Sequence, residues 1–118
     1  MTTKTEHTDM NLVYGQLMDT FKAIGQRYPE YIKGFMTFSG QGTGPGELSQ
    51  KSKELIAVAL SITQHCKFCI SFHVKAALEQ GATPGEILES AMVAGVQGGG
   101  PAIAHIKYVL DAIEVFSD

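Results

Sequence analysis

The stretch from Glu54 to His73, ELIAVALSITQHCKFCISFH, decides the fold. Its first half is an apolar run headed by a carboxylate, and its second half carries both cysteines and two of the four histidines. Ser49 just before it is a natural N-cap, so the spacing predicts a helix over Gln50–Thr63. The middle of that helix, Leu55 to Leu60, is apolar on every side, the pattern of a helix buried all round. The polar trio Gln64, His65 and Cys66 predicts a break, with a new helix starting at or just before Cys66. In that helix Cys66 and Cys69 lie three residues apart and Cys69 and His73 four apart, which puts all three side chains on one face. The break matters for Glu54. One unbroken helix, rising about 1.5 Å per residue, would hold the carboxylate about 20 Å from the thiols. Only a chain that turns back between Thr63 and Cys66 brings Glu54 to His73. A glutamate near a helix start can instead stay at the surface and complement the dipole, whereas an inward one needs a hydrogen-bond donor or a positive charge beside it.

Downstream, Ile70, Val74 and Leu78 form a core stripe and Lys67, Ser71 and Lys75 a solvent stripe, leaving Cys66, Cys69, His73 and Ala76 as a third. A cysteine in the first helical turn gains from the positive end of the dipole, which favours thiolate. Small Ala76 and Ala77 permit another helix to approach closely. Gly81 stands where a left-handed residue closes a helix. Thr83-Pro84-Gly85-Glu86 is a capping box with proline at the first helical position. It opens a helix through Ile87, Leu88, Ala91, Met92 and Ala94 that stops at Gly98-Gly99-Gly100. Pro101 opens the last helix, in which Ile103, Ile106, Leu110 and Ile113 form a seam suited to packing within the subunit or against a second one.

Upstream, Met10, Val13, Leu17, Phe21 and Ile24 recur at three- and four-residue steps and predict an amphipathic helix closing near Gly25. Pro29 begins a shorter helix carrying Tyr31, Ile32, Phe35 and Met36 and ending by Gly40. Gly40 to Gly46, with four glycines and Pro45, reads as a loop. Its glycines resemble a phosphate cradle, but the Lys-Ser/Thr that must follow in a nucleotide-binding loop is missing. No stretch alternates as a strand does. The expectation is an all-α fold of about six helices in one domain over residues 1–118, with residues 1–9, His7 included, as a disordered tail.

Composition narrows the function classes. At 118 residues the chain suits one compact domain. A net charge of -3, with no Lys/Arg run, argues against nucleic acid and membrane surfaces as partners. The polar opening MTTKTEHTDM is no signal peptide, and the apolar run Leu55 to Leu60 is too short to span a bilayer, so a cytoplasmic location is expected. Two cysteines at this spacing in a reducing compartment point to redox chemistry or metal binding rather than a structural framework.

Glu54, followed by CKFCISFH at 66–73, AALEQGATPGEI at 76–87 and GGGPAIAH at 98–105, resembles the carboxymuconolactone decarboxylase and alkylhydroperoxidase D-like family, from about Glu47 to Ala112. The resemblance implies an all-helical fold assembled as a homo-oligomer, a trimer or hexamer. Muconolactone decarboxylases of this kind generally lack the redox cysteine pair and the hydroperoxidase-like members carry it, so Cys66 and Cys69 align the chain with the latter. In that branch the residues matching Glu54, Cys66, Cys69 and His73 form a proton relay beside a reactive dithiol, with no cofactor or metal. One departure is plain: the best-studied members have a further histidine directly before the second cysteine, where this chain has Phe68.

The chemistry follows from the residue types. A free thiol with a pKa of about 8.5 is mostly protonated at neutral pH. His73 can take the proton of Cys69, directly or through a water, while Glu54 orients His73 and stabilises its cationic form. Attack of Cys69 on a hydroperoxide gives a sulfenic acid, which Cys66 resolves to a disulfide. A dithiol donor, such as reduced lipoamide or a thioredoxin-like protein, then restores the pair by exchange at Cys66. Other uses of these residues stay open. Cys66, Cys69 and His73 with His65 or His105 could hold zinc, although structural zinc sites usually draw on two cysteine knuckles and only one is present. His73 could be a satisfied core histidine, His65 a residue at the site rim, and Phe68 and Phe72 packing groups, with Phe68 at the mouth of the site. A lyase indifferent to its cysteines and a non-catalytic assembly protein with a redox-sensing dithiol are the alternative functions.

Overall fold

The computed structural model describes residues 7–117. Five helical elements follow one another: α1 Met10–Arg27, α2 Pro29–Thr43, α3 Gln50–Thr63, α4 Lys67–Glu79 and α5 Pro84–Phe116. The fold is all-helical, with no strand among the described residues.

Local chemistry sets most of the boundaries. The Asp9 side chain caps α1 by accepting from the Leu12 N–H, and Ser49 caps α3 through the Ser52 N–H. At α5 the Thr83 hydroxyl accepts from the Glu86 N–H while the Glu86 carboxylate accepts from the Thr83 N–H, which completes the predicted capping box. Gly81, at φ 87°, closes α4 in the left-handed conformation. Within α5, Gly99 adopts φ 69° and ψ −154°, so the two helices expected on either side of it meet at a kink in one continuous element.

The α2 helix runs through Thr43 rather than ending by Gly40. Glycine weakens a helix by about 1 kcal/mol per residue but does not forbid it. Pro45 disfavours helical geometry at the residue before it, and Gly44 is indeed extended and donates its N–H to the Gly40 carbonyl.

The core lies where α3, α4 and α5 meet, around Val58, Ile62, Ile70, Val74, Ile87 and Val109, with Met10 and Val13 closing it from α1. No residue of α2 is buried. The expectation of a fully buried α3 is corrected: Glu54, Val58, Ser61 and Ile62 are buried, whereas Ile56 and Leu60 are 48% and 55% exposed. The helix packs on α4 and α5 along one stripe, and its opposite apolar side faces outward together with Val93 and Val96 of α5. Ser71, expected in a solvent stripe, is fully buried, its hydroxyl satisfied by the Phe68 carbonyl at 2.7 Å. The last seam divides: Ile106 and Ile113 pack on the core, while Ile103 and Leu110 are exposed.

Of the expected tail, residues 1–6 lie outside the described residues. His7 and Thr8 instead meet buried Asp111, with His7 Nδ1 2.9 Å from Oδ1 and the Thr8 N–H donating to Oδ2 at 2.9 Å. Among the described residues, no helix is long and apolar enough to cross a membrane.

Candidate functional site

The turn between α3 and α4 assembles the site. After Thr63 the chain reverses through Gln64 and His65, and the His65 and Cys66 N–H groups donate to the Ile62 and Ser61 carbonyls, each at 3.0 Å. His65 takes φ 55°, a left-handed conformation that histidine tolerates better than most residues, and its ring stacks on His105 with centroids 4.7 Å apart. The reversal sets α4 beside α3.

Cys66 is the N-cap of α4. Its Sγ accepts the Cys69 N–H at 3.1 Å and is joined to Cys69 in a disulfide. A sulfur there faces the positive end of the helix dipole, where an anionic thiolate is favoured once the bond is reduced.

Glu54 points inward from the first turns of α3, and its carboxyl Oε1 lies 2.7 Å from His73 Nδ1 on α4. The Glu54 side chain is 5% exposed and that of His73 22% exposed. A carboxylate can only accept, so Nδ1 carries the hydrogen of this bond and Nε2 keeps a lone pair for another proton. The Phe72 ring meets the His73 imidazole edge-on at 5.1 Å and helps fix its plane.

Cys69 and His73 line one pocket of about 150 Å³ between α1, α2 and α4, together with Leu17, Phe21, Phe35, Met36, Ser39 and Phe72. Cys66 is not among the lining residues. A wider depression of about 430 Å³, bounded by Lys75, Leu78, Glu79, Pro84, Phe116 and Ser117, contains none of the predicted site residues, so the smaller pocket is the relevant one.

The reversal after Thr63 meets the condition on which Glu54 could reach His73; Cys69 and His73 line one pocket, and Cys66 is bonded to Cys69. His65 engages His105 instead of joining a ligand set, and among the described residues no three His, Cys, Asp or Glu side chains are placed to hold a metal ion. Phe68 is exposed, lies under Lys67 Nζ at 5.9 Å, and does not line the pocket. The walls from α1 and α2 were not anticipated as site residues. Their apolar spacing was visible, but which stripe would face Cys69 depends on tertiary packing.

Residues 29–112 match the carboxymuconolactone decarboxylase family. An uncharacterized protein of Cupriavidus necator is 34% identical over 103 residues, which cover 87% of this chain and 91% of that protein. An uncharacterized protein of the Paracoccus denitrificans cox locus is 36% identical over 80 residues, 68% of this chain and 72% of its own length. Among solved structures, a carboxymuconolactone decarboxylase family protein from Legionella pneumophila superposes with a TM-score of 0.88 at 32% identity, covering 92% of this chain and 97% of the other. A Thermotoga maritima family protein, for which a role in antioxidative response has been suggested, gives a TM-score of 0.77 at 26% identity, covering 86% and 87%.

Proposed function

The chain belongs to the carboxymuconolactone decarboxylase family, and from that premise we propose that it is a thiol-dependent peroxidase and disulfide oxidoreductase of the hydroperoxidase-like branch. The observation that carries this reading is the 2.7 Å bond from buried Glu54 to His73, placed on the same small pocket as Cys69. In the reduced protein, His73 Nε2 takes the Cys69 proton and the thiolate attacks the terminal oxygen of a hydroperoxide. The O–O bond breaks, its electron pair leaves with the alkoxy oxygen, and the proton held by His73 converts that oxygen to an alcohol. Cys66 then attacks the Cys69 sulfenic acid and expels water to give the disulfide. A dithiol donor, reduced lipoamide or a thioredoxin-like protein, takes over the oxidised state by exchange at Cys66, the sulfur outside the pocket.

The reading calls for a reducing compartment, the cytoplasm, and for a homo-oligomer, a trimer or hexamer, that covers the outward apolar side of α3 and α5. The suggested antioxidative role of the Thermotoga maritima relative lends it support. The test is to trap the sulfenic acid. In Cys66→Ser, one equivalent of alkyl hydroperoxide followed by dimedone labels Cys69. Label confined to Cys66 in the Cys69→Ser protein, with none on Cys69, would reverse the assignment of the attacking sulfur. The absence of label in both variants would remove the peroxidase reading.

A further inference from the structure

We propose that Ser39 is a further catalytic residue of this site, its hydroxyl donating a hydrogen bond to the peroxide oxygen that departs as alkoxide. The proposal rests on the peroxidase reading above and adds to it a group on the opposite wall of the pocket.

Two observations taken together point to Ser39. The first is the chemistry of the lining. Leu17, Phe21, Phe35, Met36 and Phe72 are apolar, and apart from Cys69 and His73 the one polar side chain lining the pocket is Ser39. It stands three residues after Met36 and four after Phe35, on the face of α2 that these two side chains share. The cysteine and histidine come from α4, so a substrate between the walls meets thiolate and base on one side and the hydroxyl on the other.

The second is hydrogen bonding. Helical hydroxyls can fold back on a carbonyl one turn earlier. Thr20 does so to Gln16, Thr37 to Lys33, Thr43 to Ser39 and Ser61 to Ala57, at 2.7 to 3.0 Å. Among the described residues the Ser39 hydroxyl, like those of Ser52 and Ser90, makes no such bond, and of these three Ser39 is the one that lines the pocket of Cys69 and His73; its carbonyl accepts from Thr43 while its hydroxyl is left for the pocket. A hydroxyl with a donor to spare in an apolar cleft is suited to a ligand oxygen that gains charge.

The role follows from the electron balance. As the Cys69 sulfur bonds to the terminal oxygen and the O–O bond breaks, negative charge grows on the alkoxy oxygen before the proton from His73 reaches it. Apolar walls solvate that charge poorly, so one donor aimed at it lowers the barrier. An alkyl hydroperoxide releases a strongly basic alkoxide and needs this help, whereas a peracid releases a stable carboxylate and needs little.

The experiment compares single-turnover oxidation of the reduced wild-type, Ser39→Ala and Ser39→Thr proteins by cumene hydroperoxide and by peracetic acid. The rate of iodoacetamide alkylation of Cys69, a reaction with no oxygen leaving group, is measured alongside. Ser39→Ala should lose about 10²–10³-fold with the alkyl hydroperoxide, the scale of one donor aimed at a developing oxyanion. It should lose far less with the peracid and nothing in alkylation, and Ser39→Thr should recover most of the deficit. An unchanged rate with cumene hydroperoxide, or equal losses with both oxidants, would overturn the proposal while wild-type turnover left the peroxidase reading standing. A wild-type protein whose cysteines react with neither oxidant would overturn both.

Discussion

Replacing Glu54 by glutamine removes one charge and almost no volume, and the structure indicates how much should follow. The carboxylate is buried and its recorded side-chain partner is His73, at 2.7 Å. A hydrogen bond to a charged group contributes about 1.5–3 kcal/mol and a neutral one about 1 kcal/mol. Glu54→Gln should therefore cost about 1–2 kcal/mol of stability, a fall in Tm of about 5 °C for a domain of this size. The effect on reactivity should be larger. A carboxylate obliges Nδ1 to carry the hydrogen and leaves Nε2 as the base, whereas an amide can also donate to Nδ1 and move the hydrogen to Nε2. The fraction of histidines able to accept the Cys69 proton then drops, and general-base assistance of about 10²–10⁴ is at stake. Glu54→Asp keeps the charge but withdraws it by one methylene, about 1.5 Å, and should fall between the two. The assay is stopped-flow alkylation of the reduced proteins from about pH 6 to 9, spanning the ordinary His and Cys titrations, with the label mapped to Cys69 or Cys66 by mass spectrometry. Wild-type alkylation of Cys69 by Glu54→Gln across that range would refute the relay, whatever happened to stability.

Other consequences are smaller and test separate parts of the structure. Gly99→Ala places a side chain at φ 69° and ψ −154°, a region essentially reserved for glycine, and an added Cβ meets nothing within 4 Å, so the cost is backbone strain of about 1–3 kcal/mol. Gly98→Ala should cost more, because its Cβ would come 2.6 Å from that of Ala102, and urea midpoints will rank the two. At the N-terminal contact, burial pushes the Asp111 carboxyl up, but hydrogen bonds from Lys107, His7 and the Thr8 N–H outweigh it and hold the group below its ordinary range. The His7 imidazole is raised, first by its hydrogen bond to Asp111 and then by the charges of Glu114 and Asp111. The signs differ. The His7 contribution is complete below about pH 6.5 and is lost as pH rises through the raised value, whereas that of Asp111 is present above about pH 3.9 and is lost as pH falls through the lowered one. An NMR titration of His7 should return toward the ordinary histidine value in Asp111→Asn. Ile56→Glu combined with Val96→Glu, at positions 48% and 81% exposed, should convert the proposed homo-oligomer to monomer in light scattering without unfolding it; an unchanged oligomeric mass would place the interface elsewhere, and a monomeric wild type would overturn the proposed assembly.

How much of this was legible in the sequence depended on whether the cause was local. The Ser49 cap, the Thr83–Glu86 capping box, the left-handed Gly81 and the break before Cys66 are set by neighbouring residues, and the structure carries all of them. The meeting of Glu54 and His73 was legible only as a condition on the chain reversing after Thr63, and the left-handed His65 that helps it reverse has no strong sequence signal. Burial was read less well. An all-apolar run looks the same whether a helix is enclosed by its own chain or leaves one side outward, which is why Ile56 and Leu60 were misplaced. Ser71 was misassigned because a hydroxyl that satisfies itself on its own helix can be buried like an alanine. The pocket walls from α1 and α2 required knowing which stripe faces α4, a tertiary fact that periodicity does not contain.

The central claim is that the two cysteines and His73 act together on peroxides, and turnover of an alkyl hydroperoxide with reduced lipoamide as donor tests it most directly. Wild type should consume peroxide catalytically. Cys69→Ser should not react, Cys66→Ser should stop after one equivalent with Cys69 as a sulfenic acid, and His73→Gln should be slowed by about 10²–10⁴. Peroxide consumption that survives loss of both cysteines, or a wild-type protein that consumes none, would contradict the account.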